Sequence, residues 1–482
     1  MPSNAGKNLL PAELKSHRNR ISLLPMKKVL IIGGGIAGLT AANALRMRGA
    51  ETLLIEKSTR VGGAIRTISR DGFIAEGGPQ TFVAEEKKLF DFLRASGILE
   101  KTVEARPAAK KRFIVRGGKP RVVPMSPASA VTTPLFSLAG KMRLLAEPFI
   151  PAKRDGNAES VANFVRRRIG KEMYNYALNP LVAGIFAGNP ETLDVRFAFP
   201  KVWNLEQRYG SLIRGTFPNA KAKKASGLYE KKKTLSFPQG METLPKLLRA
   251  NLDPRGVRVH SELTEITREN NGWRAHWRSR AAVCTFFEED AFFDEIILAI
   301  PPRCWKEIPF RDEKVRDLFS AVPALTTPPV TMLTLGFPRE CVAHALDGFG
   351  MLVPEKENRK ILGTLFTSSL FPGRAPEGFV TLSTYIGGSR QPEMTALSAE
   401  EHLKIVREEL GGLLGVSGEP AFVERIENPQ AIPQYNIGYE KFVTALSEIE
   451  SALPLHFAGN FRGGISVAQT MLSALEAAEK IG

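Results

Sequence analysis

The residues of this 482-residue chain that most plainly could do chemistry are six near its start, Gly33-Gly34-Gly35-Ile36-Ala37-Gly38, and an acid, Glu56, eighteen residues beyond the last of them. The spacing GxGxxG suits a pyrophosphate. Gly33 permits a tight turn, Gly35 lets backbone N–H groups approach phosphate oxygens, and Gly38 lets a helix lie close on a strand. The N-terminus of that helix then faces the anion. A carboxylate at Glu56 stands where it would accept from a ribose 2′-hydroxyl, and an acid there disfavours a 2′-phosphate. FAD or NAD is therefore expected in preference to NADP.

The elements that must position these groups read directly from the flanks. Val29–Ile32 and Thr52–Ile55 are short apolar runs on either side of an alanine-rich stretch, which gives strand, glycine turn, helix and second strand. Phe293–Ile300, stopped by Pro301 and Pro302, reads as a buried parallel strand returning to the same sheet. Leu455–Asn460, with Gly459, and then Gly464-Ile465-Ser466-Val467 return once more as strand, glycine turn and helix. Between these returns, Lys110–Pro127 reads as a hairpin around Gly117-Gly118. Helical spacing from Leu135 to about Trp203 carries Met142, Leu145, Val161, Phe164, Val165 and Ile169, with Arg166–Arg168 among them. Lys221–Lys233 reads as a lysine-rich loop, Val257–Ile266 as paired short strands, and 303–428 as a second region of strands and prolines.

Composition narrows the classes. The length implies two or three domains, and no apolar run reaches the roughly 18 residues that a membrane-spanning helix needs. Three widely spaced cysteines, Cys284, Cys304 and Cys341, fit neither a disulfide framework nor a zinc knuckle. The six histidines form no HxH or HExxH pattern, so no metal is expected. The net charge of +16 is concentrated: Ala105–Leu235 holds 25 Lys and Arg against 8 Asp and Glu, whereas the rest holds 41 against 42. Such a segment suits nucleic acid, anionic lipid or an acidic ligand, or is simply a solvated basic face. Basic residues beside leucines and phenylalanines in the helical stretch are what a helix on an anionic bilayer needs, and they equally suit a core helix. Residues 1–25 show no secretory signal and are expected to be a disordered or dispensable leader, with a true start at Met26 as the alternative and an organellar targeting segment still open.

Arg60-Val-Gly62-Gly63-Ala64-Ile-Arg66-Thr67 and Glu76-Gly77-Gly78-Pro79-Gln80-Thr81 follow the nucleotide motif closely. They resemble the second motif of the FAD-dependent amine oxidase and desaturase superfamily, RxGGRxxT, with Ala64 where many members carry Arg. Nine further segments, in order, resemble the oxygen-dependent protoporphyrinogen oxidase family. They are Lys111–Val115, Ser160–Arg168, Leu181–Pro190, Ser236–Met241, Gly348–Pro354, Leu362–Phe366, Leu370–Pro376, Tyr385–Gly388 and Ile432–Tyr435.

The resemblance implies an α/β fold with a Rossmann-type FAD-binding domain assembled from 26–105, 234–300 and 429–482. It further implies a mixed-sheet substrate domain from 106–128, 206–233 and 301–428, and a helical membrane-associating insertion over 129–205. Non-covalent FAD would contact Gly33–Gly38, Glu56, Arg60, Gly62, Gly63, Ala64, Gly78–Thr81, Leu263, Gly459 and Ile465–Val467. By the same resemblance Arg112 holds a substrate propionate, Leu352 and Leu365 sandwich a pyrrole ring, Tyr385 stacks where relatives often have Phe, and Ala187 and Gly188 border the tetrapyrrole. The implied reaction removes hydride from a bridge carbon of protoporphyrinogen IX to the flavin, with O2 reoxidising it to release H2O2, three rounds giving the conjugated ring. No side-chain acid or base is implied, because the cofactor carries the chemistry. A coproporphyrinogen III oxidase is the alternative, kept open by the cations Lys110, Arg112 and Arg116; an amine oxidase, a desaturase or a non-catalytic basic binding protein ranks below it. The implied setting is cytoplasmic and peripheral to an anionic membrane, with no nucleic-acid partner and with a homodimer as a further option.

Overall fold

The structure, a computed structural model, describes residues 27–282 and 285–481; the leader reading for 1–25 and Cys284 lie outside the described residues. Five parallel strands form the nucleotide sheet in the order Val257–Arg258, Glu51–Ile55, Lys28–Ile32, Glu295–Leu298 and Leu455–Phe457. Alternation along the first strand divides two cores. Val29 and Ile31 pack under the helices Ile36–Met47 and Val467–Ile481, while Leu30 and Ile32 meet an aromatic layer that includes Trp273, Trp305, Phe442 and Phe457. A strand with both faces covered must be apolar throughout, which is why KVLII carries no alternation of polarity.

Val257–Ile266 does not form paired strands. Val257–Arg258 extends the parallel sheet, whereas Ser261–Glu269 opens an antiparallel meander with Gly272–Ala282 and Thr285–Phe293. His260, at φ +52°, turns the chain from one sheet into the other. Its N–H bonds the Ser58 carbonyl at 2.8 Å, and the Ser261 N–H bonds the Glu56 carbonyl at 3.0 Å.

The second large sheet has seven strands, in the order Phe422–Asn428, Val330–Pro338, Phe379–Gly387, Gly363–Leu365, Gly350–Leu352, Phe113–Arg116 and Lys119–Val122. One face, with Leu333, Leu335, Phe337, Leu382 and Ile386, is covered by the helix Ala399–Leu414 through Ile405, Val406, Leu410 and Leu413. The other face carries Met332, Tyr385, Leu352 and Ile114.

Helices run from Pro127 to Ala225, about twenty residues beyond the end of the insertion expected at 205. Ser126, Ser137, Ser160 and Ser211 cap four of them by accepting from the amide three residues on. Lys221–Lys233 is not a loop: it comprises the end of the helix Leu212–Ala225 and most of the strand Tyr229–Ser236, which pairs with Phe82–Glu86 and Val103–Glu104. Lysine tolerates both states, and cross-strand pairing overrides its composition. Arg166–Arg168 point into ion pairs rather than to a bilayer. Arg168 is fully buried against Glu147, Arg167 bonds Glu206 at 2.8 Å and Glu159 at 2.9 Å, and Arg166 bonds Glu191 at 2.9 Å.

Candidate cofactor and substrate site

The glycine motif forms the cradle that its spacing predicts. Gly33 has φ +108° and its N–H bonds the Ile55 carbonyl at 2.8 Å, which joins the turn to the second strand. A Cβ on Gly38 would lie 1.9 Å from the Gly33 carbonyl oxygen, so helix and turn meet only through glycine. A Cβ on Gly35 would meet nothing within 4 Å: the space in front of the helix N-terminus is open. No side chain caps that helix and its first turn holds no acid, so its dipole and leading amides are available to an anion. Glu56 accepts from the Gly34 N–H and the Ser58 N–H, both at 2.7 Å, one on each carboxylate oxygen. Each oxygen keeps acceptor capacity for a ribose hydroxyl.

The second motif closes on the first. The Gly62 N–H bonds the Gly34 carbonyl at 2.8 Å, Gly35 bridges Gly62, and a Cβ on Gly63 would lie 3.3 Å from the Gly35 Cα. Ala64 abuts Gly78, where a Cβ would lie 2.4 Å from the Ala64 carbonyl oxygen. Arg60 shapes this loop instead of reaching outward: its guanidinium donates to the carbonyls of Gly63 at 2.8 Å, Ile65 at 3.1 Å and Val61 at 3.2 Å. At the other end, Ile465 and Leu263 join the apolar layer under the sheet. A Cβ on Gly459 would lie 2.2 Å from the Phe461 ring. Ser466 caps the helix that starts at Val467, accepting from the Gln469 N–H at 3.2 Å, and the Tyr435 hydroxyl holds the Gly464 N–H at 3.1 Å. An uncapped glycine cradle at one end and a glycine turn leading into a Ser466-capped helix at the other thus converge on one sheet, and the residues fit an extended flavin dinucleotide.

Register brings together the residues expected to meet the substrate. Met332, Tyr385, Gly363, Leu352 and Ile114 lie side by side on five adjacent strands, and residues directly opposite in a ladder share a face. Leu365, two positions from Gly363, shares it too, and Arg112 lies two positions before Ile114, just outside the strand. Gly363 contributes no side chain, and the space a Cβ would take there is filled by the Met351 carbonyl oxygen at 2.6 Å and Leu352 Cδ2 at 3.3 Å. The helix Asn179–Phe186 lies over this face. A Cβ on Gly184 would lie 2.5 Å from Leu352 Cδ2, and Tyr385 packs with Ala183, Ala187 and Leu362. Ala187 ends the helix at φ +48°, and a Cβ on Gly188 would lie 2.1 Å from Gln434 Oε1.

Charge in this region is unevenly matched. Lys111 pairs with Asp347 and Arg116 with Glu172 at 2.7 Å. Arg112 has no carboxylate partner among the described residues; its guanidinium lies 4.9 Å from the Phe349 ring centre, and burial pushes its pKa down. Arg390, at the end of the Tyr385 strand, donates to the Val353 carbonyl at 2.9 Å and to Asn179 Oδ1 at 3.1 Å, tying the Leu352 strand to the start of the covering helix. Sequence reasoning overlooked it.

A buried polar network joins the two halves. Arg374 donates to Glu76 Oε1 at 2.9 Å and to Ser236 Oγ at 2.6 Å; Glu76 also accepts from Thr67 Oγ1 at 2.6 Å and the Met241 N–H at 2.9 Å. Burial pushes the Glu76 carboxyl up, opposed by these donors, and pushes the Arg374 guanidinium down. The segments Glu76–Thr81, Ser236–Met241 and Leu370–Pro376, read separately from sequence, meet here. Gln80, read as a cofactor contact, sends its side chain to the substrate sheet, with Nε2 3.3 Å from Met332 Sδ.

The chain matches the model of the family described as flavin containing amine oxidoreductase over residues 36–482. It is 32% identical to protoporphyrinogen oxidase 2, chloroplastic/mitochondrial, of Arabidopsis thaliana, the match covering 96% of this chain and 95% of that one. It is 27% identical to coproporphyrinogen III oxidase of Bacillus subtilis (strain 168), covering 91% and 93%. Its fold is similar to the crystal structure of a candidate protoporphyrinogen oxidase from Exiguobacterium sp. 255-15, with a TM-score of 0.74, 23% identity, and 94% and 98% of the two chains covered. An open glycine cradle in the expected context and similarity along nearly the whole chain agree: this is an FAD-dependent oxidoreductase of the flavin-containing amine oxidoreductase family, among the protoporphyrinogen oxidases.

Proposed function

We propose that this enzyme oxidises protoporphyrinogen IX to protoporphyrin IX in porphyrin biosynthesis, with three O2 reduced to three H2O2 as six electrons and six protons leave the substrate. One observation carries the reading: a single sheet face aligns Leu352, Gly363 and Tyr385 in a row, with Leu365 beside them and the unpaired cation Arg112 at the edge. A flat apolar macrocycle with carboxylate tails needs apolar walls and few cations. FAD, when bound, supplies two-electron acceptance. The chain's own residues bind and orient. Leu352 and Leu365 exclude water from one pyrrole, Tyr385 and Ala187 bound another side, and Arg112 takes a propionate as a bidentate partner.

Coproporphyrinogen III, the substrate named for the Bacillus relative, carries four propionates. Of the cations that would serve them, Arg116 is engaged by Glu172 and lies over the Tyr176 ring, which favours the substrate with two. Anaerobic bleaching of the flavin by the two porphyrinogens side by side, followed by admission of air, tests this. Faster bleaching by protoporphyrinogen IX with recovery of yellow colour in air is expected. Bleaching by coproporphyrinogen III alone would reverse the assignment, and bleaching by neither would remove porphyrinogens as substrates.

The same proposal assigns the helical segment to an anionic membrane surface facing the cytoplasm, and its helices and the two large sheets to separate membrane, substrate and cofactor domains. Its support is a set of exposed apolar side chains, Val131, Leu138, Met142, Leu145, Phe149 and Phe217, in the same segment as the exposed cations Arg154, Arg214, Lys221 and Lys224, for which no ion pair is found among the described residues. Among the described residues no helix is long and apolar enough to cross a membrane.

A further inference from the structure

The segment Ile432–Tyr435 touches both halves of the site with two consecutive side chains. Gln434 is 2% exposed, and its amide reaches the end of the helix that covers the substrate face. Nε2 donates to the Phe186 carbonyl at 2.8 Å and to the Ile432 carbonyl at 2.9 Å. Phe186 is the last residue of the helix Asn179–Phe186, so its carbonyl has no partner within the helix and takes one from Gln434. Ala187 follows at φ +48°, a conformation that costs any residue with a Cβ, and its own carbonyl accepts from the Ser389 N–H at 2.7 Å. Gly188 completes the turn against Gln434 Oε1, a buried oxygen with no hydrogen-bond partner among the described residues; a Cβ on Gly188 would displace it. Tyr435 reaches the flavin end instead. Its hydroxyl donates to the Asn460 carbonyl at 2.7 Å and accepts from the Gly464 N–H at 3.1 Å, which fixes the glycine turn ahead of Ile465–Val467. Its ring stacks on Tyr439, 4.3 Å between centres, and the Tyr439 hydroxyl donates to the Phe461 carbonyl at 2.6 Å.

We propose that Gln434 and Tyr435 are paired positioning residues, one for each ligand: Gln434 sets the Ala187–Gly188 wall of the substrate pocket, and Tyr435 sets the glycine turn at the flavin end of the cofactor. The backbone between them is itself pinned, with the Gln434 N–H on the Thr326 carbonyl at 2.9 Å and the Asp194 N–H on the Tyr435 carbonyl at 2.8 Å. The spacing between substrate wall and flavin turn is therefore built into one peptide unit. Oxidation by a bound flavin needs the two ligands in near-attack contact, and misplacement by an ångström costs about a hundredfold in rate. The consequence for the porphyrinogen rests on the function proposed above; the consequences for the turn and for FAD do not.

The test compares Gln434→Met, Gly188→Ala and Tyr435→Phe in the full-length holoenzyme. Three quantities are read: FAD affinity from the recovery of free flavin fluorescence, the rate of anaerobic bleaching per bound flavin at saturating protoporphyrinogen IX, and hydrogen exchange of the peptide 183–189. Gln434→Met is expected to slow bleaching about tenfold and to quicken exchange of that peptide, with FAD affinity retained. Gly188→Ala, which presses the amide away from Phe186, should do the same, and the double variant should be no slower than the worse single one because both act through one contact. Tyr435→Phe should weaken FAD about fivefold, the size of one net hydrogen bond, and leave the exchange of 183–189 as in the wild type. Bleaching per bound flavin that is unchanged in Gln434→Met, or slowing that multiplies in the double variant, would overturn the role of Gln434. FAD affinity unchanged by Tyr435→Phe would overturn that of Tyr435. If Gln434→Met does not fold, Gly188→Ala decides, since it displaces the amide with the glutamine still in place. Wild-type protein whose flavin no porphyrinogen bleaches would refute the proposed substrate, while exchange and FAD affinity still decide the two anchors.

Discussion

Arg112 carries most of what a single residue says about the substrate. Burial lowers its pKa, its one described side-chain contact is the face of Phe349, and neighbouring Lys111 and Arg116 already have acids. An exposed guanidinium set against an aromatic face, with no acid beside it, is open to an anion, and a propionate completes it. Arg112→Ala is expected to raise KM for the porphyrinogen about tenfold or more with kcat little changed, because the tail contact is shared by ground and transition states. Arg112→Lys should recover only part, since an ammonium lacks the planar fork. Steady-state kinetics check both, and a collapse of kcat at constant KM would give Arg112 a different role. The glycines and Glu56 were legible in the sequence because a turn at φ +108° and a Cβ clash at 1.9 Å admit no other residue. Arg60 was not, since an arginine beside paired glycines reads the same whether it holds a phosphate or its own loop.

The loop Leu370–Pro376 and the segments Glu76–Thr81 and Ser236–Met241 are held to one another by a buried pair rather than by apolar packing alone. Glu76 and Arg374 are 1% and 2% exposed, and each needs the other's charge to remain ionised. Arg374→Met leaves the carboxylate with only Thr67 and the Met241 amide. The expected loss is about 3–5 kcal/mol in chemical denaturation, and adding Glu76→Gln should return part of it by removing the stranded charge. A loss below about 1 kcal/mol would mean that the junction does not depend on the pair. These segments stood out in the sequence as specific without a visible reason, and the reason is tertiary. Elements with a strong local signal, such as KVLII and the Gly117-Gly118 hairpin, read correctly. Lys221–Lys233 did not, because its strand is imposed by Phe82–Glu86. The turn at His260 likewise depends on Ser58, two hundred residues away in sequence.

At the scale of the whole molecule, the charge excess of 105–235 separates into two populations that composition could not tell apart. Arg116, Arg166, Arg167 and Arg168 neutralise acids within the segment and hold its helices together. Arg154, Arg214, Lys221 and Lys224 remain exposed, close in sequence to Phe149 and Phe217, which are 80% and 82% exposed. The helix Leu212–Ala225 packs against the turn Glu147–Phe149, with Arg214 6.0 Å from the Phe149 ring centre, so cation and aromatic form one surface. Each phenylalanine buried in lipid contributes roughly 1.5–3 kcal/mol, and each nearby cation about 1 kcal/mol at an anionic surface. The first term is indifferent to salt and the second is screened within about 8–10 Å at physiological ionic strength. Two variants therefore separate them by vesicle sedimentation. Phe149→Ser with Phe217→Ser should weaken binding at least tenfold to anionic and neutral vesicles alike. Arg214→Gln with Lys221→Gln and Lys224→Gln should weaken binding to anionic vesicles alone and flatten its salt dependence. Both should leave flavin bleaching in detergent solution unchanged, since neither set touches the sheet face proposed for the substrate. Equal binding by all three proteins would detach this surface from the bilayer, and the exposed aromatics would then need a protein to cover them.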